Sequence, residues 1–573
     1  MSQDKTGMRR NLTDYGDADF SLYLRKAFIK AMGYSEEALD RPVIGITNTY
    51  SGYNPCHANV PEIVAAISRG VLLAGGLPIE FPTISLHESF AYPTSMFLRN
   101  LMAMDTEEML RAQPMDAVVL VGGCDKTVPA QLMAVASVNL PAICVVTGPM
   151  LSGSHRGVRV GACTDCRRFW ASYRAGEVNA EEIEEVTNNL VPSGGTCGVM
   201  GTASTIACMT EALGMMLPGG ATIPAVLADR LRHAEIAGTR SVAMAGENLT
   251  PDKILTTSSL ANALRILLAI GGSTNGIVHL AALAGRLGIE IDYQAFDEMG
   301  RETPVLIDLK PSGNFYMDDL HRAGGLAPIF RELKDMLHLD CLTVTGRTLG
   351  EEIERLPPPY TQEVVRSMGN PIHQGGSIAV LGGNLAGEGA IIKQSASSAH
   401  LLVHTGKAVV FDSLQDLSAR IDDPDLDVGP DDVLVMRNAG PRGAPGMPEA
   451  GYIPIPRKLA QQGIKDMVRI SDARMSGTAF GTIVLHVCPE AAVGGPLALV
   501  RNGDPITLDV PSRSLTLDVD ETELAQRRAE LVPLKVDEER RGYLRLFHDH
   551  VTQANKGCDF DFLAAPKVRD KTP

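Results

Sequence analysis

The sequence predicts an α/β protein with a large N-terminal α/β/α domain on a parallel sheet and a smaller C-terminal β-barrel-like domain. Three observations lead to this prediction. The chain has 573 residues, more than one ordinary hydrophobic core accommodates. Short apolar runs alternate with helical stretches through its first two thirds. Beyond a Pro- and Gly-rich stretch near residue 360 the runs become short and β-like, so we expect domains at residues 1–375 and 376–573.

In the N-terminal domain, strand-like and helix-like stretches alternate along the chain. Their period and composition predict, in order, strand, helix, strand, helix and strand for PVIGITNTY, VPEIVAAISRGVLLAGG, DAVVLVGG, PAQLMAVASVN and PAICVVTG. This alternation is typical of a parallel sheet covered by helices. Ligands bind at the C-terminal ends of the strands in such sheets, and Cys56 and Cys124 follow two of the predicted strands.

The C-terminal domain follows the linker-like stretch LPPPYTQEVVRSMGNPIHQGG. Turn signals such as Asn502-Gly503-Asp504 separate its short apolar runs. The runs predicted to contain strands are SIAVLGG, AVVFD, DVLVMRN, TIVLHV, LALVRNGDPITLDV and SLTLDVD. Many short strands with turns between them predict a β-rich, barrel-like domain.

Composition and charge exclude several classes of function. The formal net charge of −16 argues against nucleic-acid binding, which needs a basic face. The first residues, MSQDKTGMRRNLTDYGD, lack the apolar core of a signal peptide. The most apolar region, residues 190–228, has no run of 18 uninterrupted apolar residues, so we expect no membrane span. Ten cysteines without a secretion signal indicate a reducing, cytoplasmic environment.

Three cysteines lie in Gly- or Pro-rich loops before predicted helices: Cys56, Cys124 and Cys197. A thiolate near a helix N-terminus is stabilised by the helix dipole and by free N–H groups. Three such loops at one sheet edge can hold an iron–sulfur cluster, with one iron position left open because clusters normally take four cysteines. The spacing alone leaves open that these are ordinary loop cysteines. Buried, inert thiols are expected at Cys144, Cys208, Cys341 and Cys488.

A separate Cys-x-x-Cys pair, Cys163 and Cys166, occurs in GACTDCRRF. The pair fits a redox-active dithiol or half of a zinc site. A zinc ribbon needs a second pair of this kind, which the sequence does not contain.

Oxygen ligands for a hard metal ion occur in three further loops. Glu88, Asp125 and Glu449 each lie near Gly or Pro, where carboxylates are either simply solvated or bind a metal such as Mg²⁺. Adjacent Cα atoms are about 3.8 Å apart, so Cys124 and Asp125 can serve a soft and a hard metal within reach of one small substrate. Ser476, in ISDARMSGTAFGT, is not part of a G-x-S-x-G elbow, which argues against a hydrolase triad.

Taken together, six motifs resemble the dihydroxy-acid and sugar-acid dehydratase family: NPCHANVPE, GGCDKTVPA, PSGGTCGVMGTASTIACMTEALGM, GGSTN, GAPGMPE and SDARMSGTAFG. They run in order from about residue 40 to residue 500. The third motif and HESFAYPTSMFLRNLMAMDTEEML are most similar to the pentonate and hexonate dehydratases, especially the L-arabinonate type. Thr196 and Val199-Met200-Gly201 depart from the PSAGACGGMYTANT pattern of the branched-chain dihydroxy-acid enzymes.

The resemblance implies a set of roles for this chain. The three loop cysteines, Cys56, Cys124 and Cys197, would bind a 2Fe-2S cluster, with 4Fe-4S as the alternative. Three carboxylates would bind Mg²⁺: Glu88, Asp125 and Glu449. Lys126 is either carbamylated, adding a fourth metal-binding side chain, or unmodified and paired with Asp125. Ser476 would be the catalytic base and Thr478 would assist, whereas Cys163 and Cys166 receive no role in cluster binding.

The implied reaction is loss of water from a 2,3-dihydroxy acid such as L-arabinonate, giving a 2-keto-3-deoxy acid. The implied partners are a small acid substrate and further copies of the chain, in a homodimer or homotetramer. Two alternatives stay open: a branched-chain dihydroxy-acid dehydratase, and a non-catalytic iron–sulfur sensor or electron carrier. A carrier needs four protein ligands to its cluster and no hard-metal site.

Overall fold

Two sheets organise the chain in the computed structural model, which describes residues 6–532, 534 and 540–566. The first has four parallel strands, β1 to β4, in the order β2-β1-β3-β4: Val43–Asn48, Leu77–Pro82, Ala117–Gly122 and Ala142–Val146. The predicted parallel sheet is therefore confirmed. Strand β2, at the edge of the sheet, was not predicted because its residues, LPIEFP, mix polar and apolar side chains.

Helices cover this sheet on both sides and continue into the next part of the chain. They are α1 Ala18–Lys30, α2 Val60–Leu73, α3 Arg99–Ala112, α4 Thr127–Val138, α5 Thr164–Ala175, α6 Ala180–Thr187, α7 Thr202–Ala212, α8 Ala228–Glu247, α9 Pro251–Ile254, α10 Thr257–Ala269, α11 Asn275–Arg286, α12 Tyr293–Glu302, α13 Met317–Arg322, α14 Ala327–Glu332 and α15 Leu349–Glu354. A small hairpin, β5 Gly153–His155 and β6 Val158–Val160, precedes α5. Strands β3 and β4 are buried along their whole length, which explains their uninterrupted apolar sequences.

Two glycines bring α2 and α8 into backbone contact. A Cβ on Gly70 would lie 2.0 Å from the carbonyl oxygen of Glu235, and one on Gly238 would lie 2.2 Å from that of Ile67. Only glycine fits at both positions, so the two helices are locked together. Because α2 begins four residues after Cys56, this packing also fixes the loop that carries that cysteine.

The second sheet has eight strands in the order β14-β13-β9-β10-β11-β12-β8-β7. From β7 to β14 they are Ala379–Leu381, Ala390–Ile392, Val403–Phe411, Val433–Met436, Arg469–Ser471, Ile483–Leu485, Pro505–Asp509 and Ser514–Leu517. A bridge between Gly382 and Ser514 joins the two edges, so the sheet is nearly closed. The predicted barrel-like C-terminal region is confirmed. The boundary at residue 375 stays a prediction.

Among the residues that the structure describes, four helices accompany the barrel: α16 Leu414–Arg420, α17 Arg457–Gln461, α18 Glu521–Glu530 and α19 Gly542–His550. One strand prediction was too long, since the LALV part of LALVRNGDPITLDV is not extended. Pro496–Leu499 forms a 3-10 helix, because proline favours the first position of a helical turn. Within the described residues, no helix is both long and apolar enough to cross a membrane.

Candidate active site

The turn after β3 is held by a histidine that the sequence reading did not single out. The backbone N–H groups of Gly123 and Cys124 each donate to Nε2 of His57 at 2.9 Å, and its Nδ1 lies 2.7 Å from the carbonyl oxygen of Thr49. These partners require a proton on Nδ1 and a free Nε2. Burial lowers the pKa of His57 to about 4, so the ring is neutral at pH 7. His57 therefore fixes Cys124 through two backbone hydrogen bonds.

A second constraint on this turn is the close approach of another loop. A Cβ on Gly123 would lie 1.8 Å from Oγ1 of Thr147, which follows β4. The glycine lets the β3 and β4 loops meet at the C-terminal edge of the sheet. Lys126 then forms the N-cap of α4, so the side chains of Cys124, Asp125 and Lys126 leave the chain within one turn.

Five thiols meet at this edge, and we name them the thiol group: Cys56, Cys124, Cys163, Cys166 and Cys197. Cys56 and Cys124 interact by a side-chain hydrogen bond, and Cys163 Sγ lies 3.7 Å from Cys197 Sγ. Cys166 also interacts with Cys163. The structure thus brings the three predicted ligand cysteines to one edge and adds the Cys-x-x-Cys pair. The pair was visible in the sequence, but its distance from Cys197 was not.

The thiols of the group differ in acidity. The hydrogen bond from Cys124 lowers the pKa of Cys56 to about 6, opposed by burial and aided by His87. The same interaction, together with burial, raises the pKa of Cys124. Hydrogen bonds from Cys166 and Cys197 lower the pKa of Cys163 well below its usual range. The group therefore offers both thiolates and thiols at neutral pH.

Beside the thiols lie the ionic side chains that we name the carboxylate group: Glu88, Asp125, Glu449, Lys126 and Arg474. Lys126 Nζ contacts Asp125 and lies 3.6 Å from Glu88 Oε2. Arg474 pairs with Glu449 and lies 3.5 Å from Glu88 Oε2. The two cations are only 0% and 1% exposed, and the three carboxylates around them are partly buried, with side chains 15–28% exposed.

Charge outweighs burial in setting the direction of the pKa shift at Glu88 and Lys126. Burial would raise the pKa of Glu88, but Arg474, Lys126 and hydrogen bonds from Ser95 and Thr94 hold it well below its usual range. Burial would likewise lower the pKa of Lys126, yet the carboxylates outweigh it and the pKa is raised. Glu449 is the exception: burial raises its pKa despite Arg474.

Arg474 is the main charged residue that the sequence reading missed. Its side chain is fully buried, donates to Thr94 Oγ1 at 2.8 Å and reaches two of the three carboxylates. The sequence did contain a signal, since Arg474 stands two residues before Ser476 in a motif whose one other charged residue is Asp472. A charged side chain among buried neighbours needs a charged partner.

The loop between β11 and β12 carries Ser476, and we name it the serine loop; it lies on the barrel side of the site. Ser476 Oγ lies 2.8 Å from Thr478 Oγ1, and Arg167 Nε donates to Thr478 Oγ1 at 3.4 Å. Thr164 Oγ1 donates to the carbonyl oxygen of Thr478 at 3.1 Å. A Cβ on Gly477 would lie 2.5 Å from the Cβ of Ser273, so the loop packs tightly. The start of α5 thus links the thiol group to Ser476.

The donor chemistry of both groups fits the implied cofactors. Buried, clustered thiols are the ligands of iron–sulfur clusters, and carboxylates are those of Mg²⁺. Cys124 Sγ donates to Asp125 Oδ1 at 3.4 Å, so the two donor sets touch. In the described part of the chain, no three His, Cys, Asp or Glu side chains are already arranged around a single metal position. In the carboxylate group, Lys126 and Arg474 neutralise the acids instead.

Comparison with known proteins shows the family to which this chain belongs. Residues 41–352 match the N-terminal domain, and residues 363–558 the C-terminal domain, of the dihydroxy-acid/6-phosphogluconate dehydratases. The chain belongs to this dehydratase family. Dehydratases of this family are hydro-lyases, so the protein is an enzyme that eliminates water.

Relatives with several named substrates are similar to this dehydratase over nearly its full length. The L-arabinonate dehydratase of Rhizobium leguminosarum bv. trifolii is 46% identical, covering 96% of this chain and 95% of the relative. The 6-deoxy-6-sulfo-D-gluconate dehydratase of Pseudomonas putida is 45% identical, with 94% and 93% covered. The dihydroxy-acid dehydratase of Acetivibrio thermocellus is 39% identical, with 93% and 96% covered.

Proposed function

We propose that this dehydratase converts a 2,3-dihydroxy sugar acid, of the L-arabinonate type, to its 2-keto-3-deoxy acid with the help of an iron–sulfur cluster and Mg²⁺. The observation that carries the proposal is the contact between the thiol group and the carboxylate group at Cys124 and Asp125. A soft and a hard donor set meet in one buried site. The higher identity to sugar-acid relatives, 46% against 39%, favours a sugar acid over a branched-chain dihydroxy acid.

Each donor set has its own assignment. Cys56, Cys124 and Cys197 would hold a 2Fe-2S cluster, or a 4Fe-4S cluster as the alternative. Glu88, Asp125 and Glu449 would hold Mg²⁺. When bound, the cluster and Mg²⁺ supply Lewis acidity for departure of the 3-hydroxyl and for the negative charge that develops beside C2.

Ser476 would remove the proton from C2. A serine hydroxyl is ordinarily a poor base, so its anionic form must be stabilised by its neighbours. Thr478 can donate to Ser476 Oγ at 2.8 Å, and Arg167 donates to the same threonine oxygen at 3.4 Å. This chain of donors places positive charge two hydrogen bonds from the base. The C2–H and C3–O bonds break, an enol forms, and protonation at C3 gives the ketone.

The charge balance of the carboxylate group favours modification of Lys126. As an ammonium group, Lys126 contacts Asp125 and would repel a divalent cation held by the same carboxylates. Carbamylation would replace this positive charge with a carboxylate oxygen donor, which suits Mg²⁺. Intact-protein mass spectrometry under CO₂-rich and CO₂-free conditions distinguishes a carbamate from an unmodified lysine.

We further infer a cytoplasmic homodimer or homotetramer that acts on a small acid. Exposed apolar side chains on α1 and just after it support self-association: Phe20, Tyr23, Phe28 and Met32. Light scattering on the wild type and on Phe28→Glu tests this assembly. A monomeric wild type would exclude it.

The decisive experiment measures keto-acid formation from L-arabinonate, xylonate, gluconate, glycerate and dihydroxyisovalerate, together with bound iron and magnesium. We expect turnover of sugar acids and both metals in the active protein. Turnover of dihydroxyisovalerate alone would assign the branched-chain reaction instead. A bound cluster with no turnover of any of these acids would favour the sensor or carrier.

The base assignment has its own test. Ser476→Ala should keep the bound iron but lower kcat by about 10²- to 10⁴-fold, the usual contribution of a general base. The control Ser512→Ala changes an exposed serine in a turn of the barrel and should leave kcat unchanged. Normal turnover by Ser476→Ala would refute the base role.

A further inference from the structure

Three thiols form a row in which the middle one has a partner on each side. Cys163 Sγ lies 3.7 Å from Cys197 Sγ on one side and interacts with the Cys166 thiol on the other. Cys163 and Cys197 lie on different loops, which are tied together by a 3.1 Å hydrogen bond from Gly198 N to the Ala162 carbonyl oxygen. Cys163 is the N-cap of α5 and Cys166 lies in its first turn.

We propose that Cys163 and Cys166 form a reversible disulfide, and that this bond protects Cys197 from oxidation. Cys163 and Cys166 are three residues apart at the start of one helix, where side chains at this spacing are neighbours. Cys163 and Cys166 belong to the same helix start, whereas a bond from Cys163 to Cys197 would join two separate loops. Both Cys163 and Cys166 are partly exposed, so a small oxidant reaches them.

The chemistry is thiol–disulfide exchange with a low-molecular-weight disulfide such as glutathione disulfide. The Cys163 thiolate attacks one sulfur of this disulfide, forms a mixed disulfide and releases one glutathione thiolate. The Cys166 thiolate then attacks Cys163 Sγ, which forms the Cys163–Cys166 bond and releases the second glutathione. The two protein thiols lose two electrons and two protons, and one glutathione disulfide becomes two glutathione molecules.

Without Cys166, the remaining neighbour of Cys163 in this row is Cys197. A bond between these two would consume a thiol that the proposed function assigns to the cluster, and this consequence rests on that proposal. With Cys166 present, a mixed disulfide at Cys163 can react with Cys166 instead of Cys197. If a Cys163–Cys197 bond does form, Cys166 attacks Cys163 and releases Cys197 as a thiolate. Cys166 thus acts as a resolving thiol that keeps Cys197 reduced.

The disulfide is tested on the full-length, metal-free protein. After treatment with glutathione disulfide, free thiols are alkylated and the cysteine peptides are identified by mass spectrometry. We expect a Cys163–Cys166 bond with Cys197 alkylated in the wild type, a Cys163–Cys197 bond in Cys166→Ser, and neither bond in Cys163→Ser. The control Cys341→Ser, at a buried thiol outside the row, should match the wild type. Alkylation of both Cys163 and Cys166 in the treated wild type would overturn the proposal.

A second measurement separates the protective role from the proposed function. Iron and a stoichiometric amount of sulfide are added to the oxidised, metal-free proteins with no other reductant. Because sulfide can itself cleave disulfides, the remaining disulfides are mapped by mass spectrometry while bound iron and visible absorbance are recorded. We expect reconstitution of the wild type and loss of it in Cys166→Ser, restored by dithiothreitol. Equal reconstitution of the two oxidised proteins would reject protection. If neither protein takes up a cluster even when fully reduced, the cluster assignment fails, while the disulfide map still decides the dithiol.

Discussion

The thiol group and the carboxylate group, which we call the sulfur half and the carboxylate half of the site, are built from different parts of the fold. All five members of the thiol group lie between residues 56 and 197, in segments around the four-stranded sheet: four precede or cap helices, and Cys166 is in the first turn of α5. The carboxylate group takes Glu88, Asp125 and Lys126 from that same region, but Glu449 and Arg474 from the barrel. The sheet edge alone therefore completes the sulfur half, whereas the carboxylate half exists only where the barrel meets the sheet.

The two halves also differ in what holds them. Neutral contacts fix the sulfur half, as in the two backbone hydrogen bonds accepted by His57. Opposite charges fix the carboxylate half, where Arg474 joins Glu88 of one region to Glu449 of the other. Substitutions and changes of pH should therefore affect the stability of the two halves differently.

The largest effect is expected when the charge that joins the two regions is removed. Arg474→Met leaves Glu88 and Glu449 without their shared cation in a buried space. Breaking a buried ion pair in this way costs about 3–5 kcal/mol of unfolding free energy. Urea unfolding of the metal-free protein measures it, and added Mg²⁺ should restore part of the loss because it replaces the missing positive charge.

An exposed pair of the barrel provides the control for this substitution. Arg457 is 55% exposed and lies 3.5 Å from Asp422, so Arg457→Met should cost less than about 1 kcal/mol. Equal losses in the two variants would mean that Arg474 does not hold the regions together. In that case the contrast between the two halves would not hold.

The next effect is a loss of stability of the sulfur half in acid. The pKa of His57 is lowered from 6.5 to about 4 in the folded protein, so the unfolded chain binds the extra proton first as pH falls. The contribution of the neutral His57 ring to the free energy of unfolding is complete above pH 6.5 and is lost as the pH falls towards 4. At 1.36 kcal/mol per pKa unit, the loss is roughly 3 kcal/mol. Unfolding of the metal-free protein at pH 7.5 and 4.5 measures it.

His57→Gln keeps a hydrogen-bond acceptor but does not titrate, so its stability should fall less between these two pH values. Some pH dependence should remain, because burial also lowers the pKa of His233 to about 4 and of His486 to about 3. The exposed His400 is the control, and His400→Gln should keep the full wild-type difference. If His57→Gln does the same, the neutral-ring assignment is wrong.

Much of the fold was predictable because the central strands carry a strong local signal. Strands β3 and β4 are continuous apolar runs with a glycine within two residues of their ends, and such runs need no tertiary information to be recognised. The edge strand β2 and the three-residue strands β8 and β11 lacked this signal. Their extended shape depends on pairing with neighbours that the local sequence does not reveal.

Sequence motifs name candidate site residues, but they do not predict how these residues are arranged. Family motifs supplied Cys56, Cys124 and Cys197, and the structure brings them to one edge. The roles of Arg474 and Cys163 depend instead on contacts between residues far apart in the chain: 386 positions for Arg474 and Glu88, and 34 for Cys163 and Cys197. No local pattern encodes such contacts.

A smaller effect is expected from a substitution that disturbs the sulfur half without touching the barrel. Gly123→Ala places a Cβ 1.8 Å from Thr147 Oγ1 and should cost about 1–3 kcal/mol through overpacking. In Gly122→Ala the nearest atoms are Gln131 Oε1 and Thr127 Cγ2, both at 2.9 Å rather than 1.8 Å, so this neighbouring variant should lose less. Thermal or urea unfolding compares the two.

Removing the clashing atom should rescue the first variant. Thr147→Ala deletes Oγ1, so Gly123→Ala combined with Thr147→Ala should recover part of the lost stability relative to the two single variants. Purely additive losses would show that the clash is not the cause. The glycine would then be required for another reason.

The smallest effect tests the connection between the two halves that runs through α5. Arg167 donates to Thr478 Oγ1 at 3.4 Å, and Thr478 lies 2.8 Å from Ser476. Arg167→Gln removes the charge from this relay and should lower kcat by about tenfold, which corresponds to about 1.4 kcal/mol of barrier. Because Arg167 acts through Thr478, KM and bound iron should change little.

Steady-state kinetics with the preferred acid measures kcat and KM for this variant. Arg168→Gln, at the neighbouring arginine, which is 49% exposed, is the control. A rise in KM with kcat unchanged would instead assign Arg167 to substrate binding. The position of the serine loop would then depend on the barrel alone.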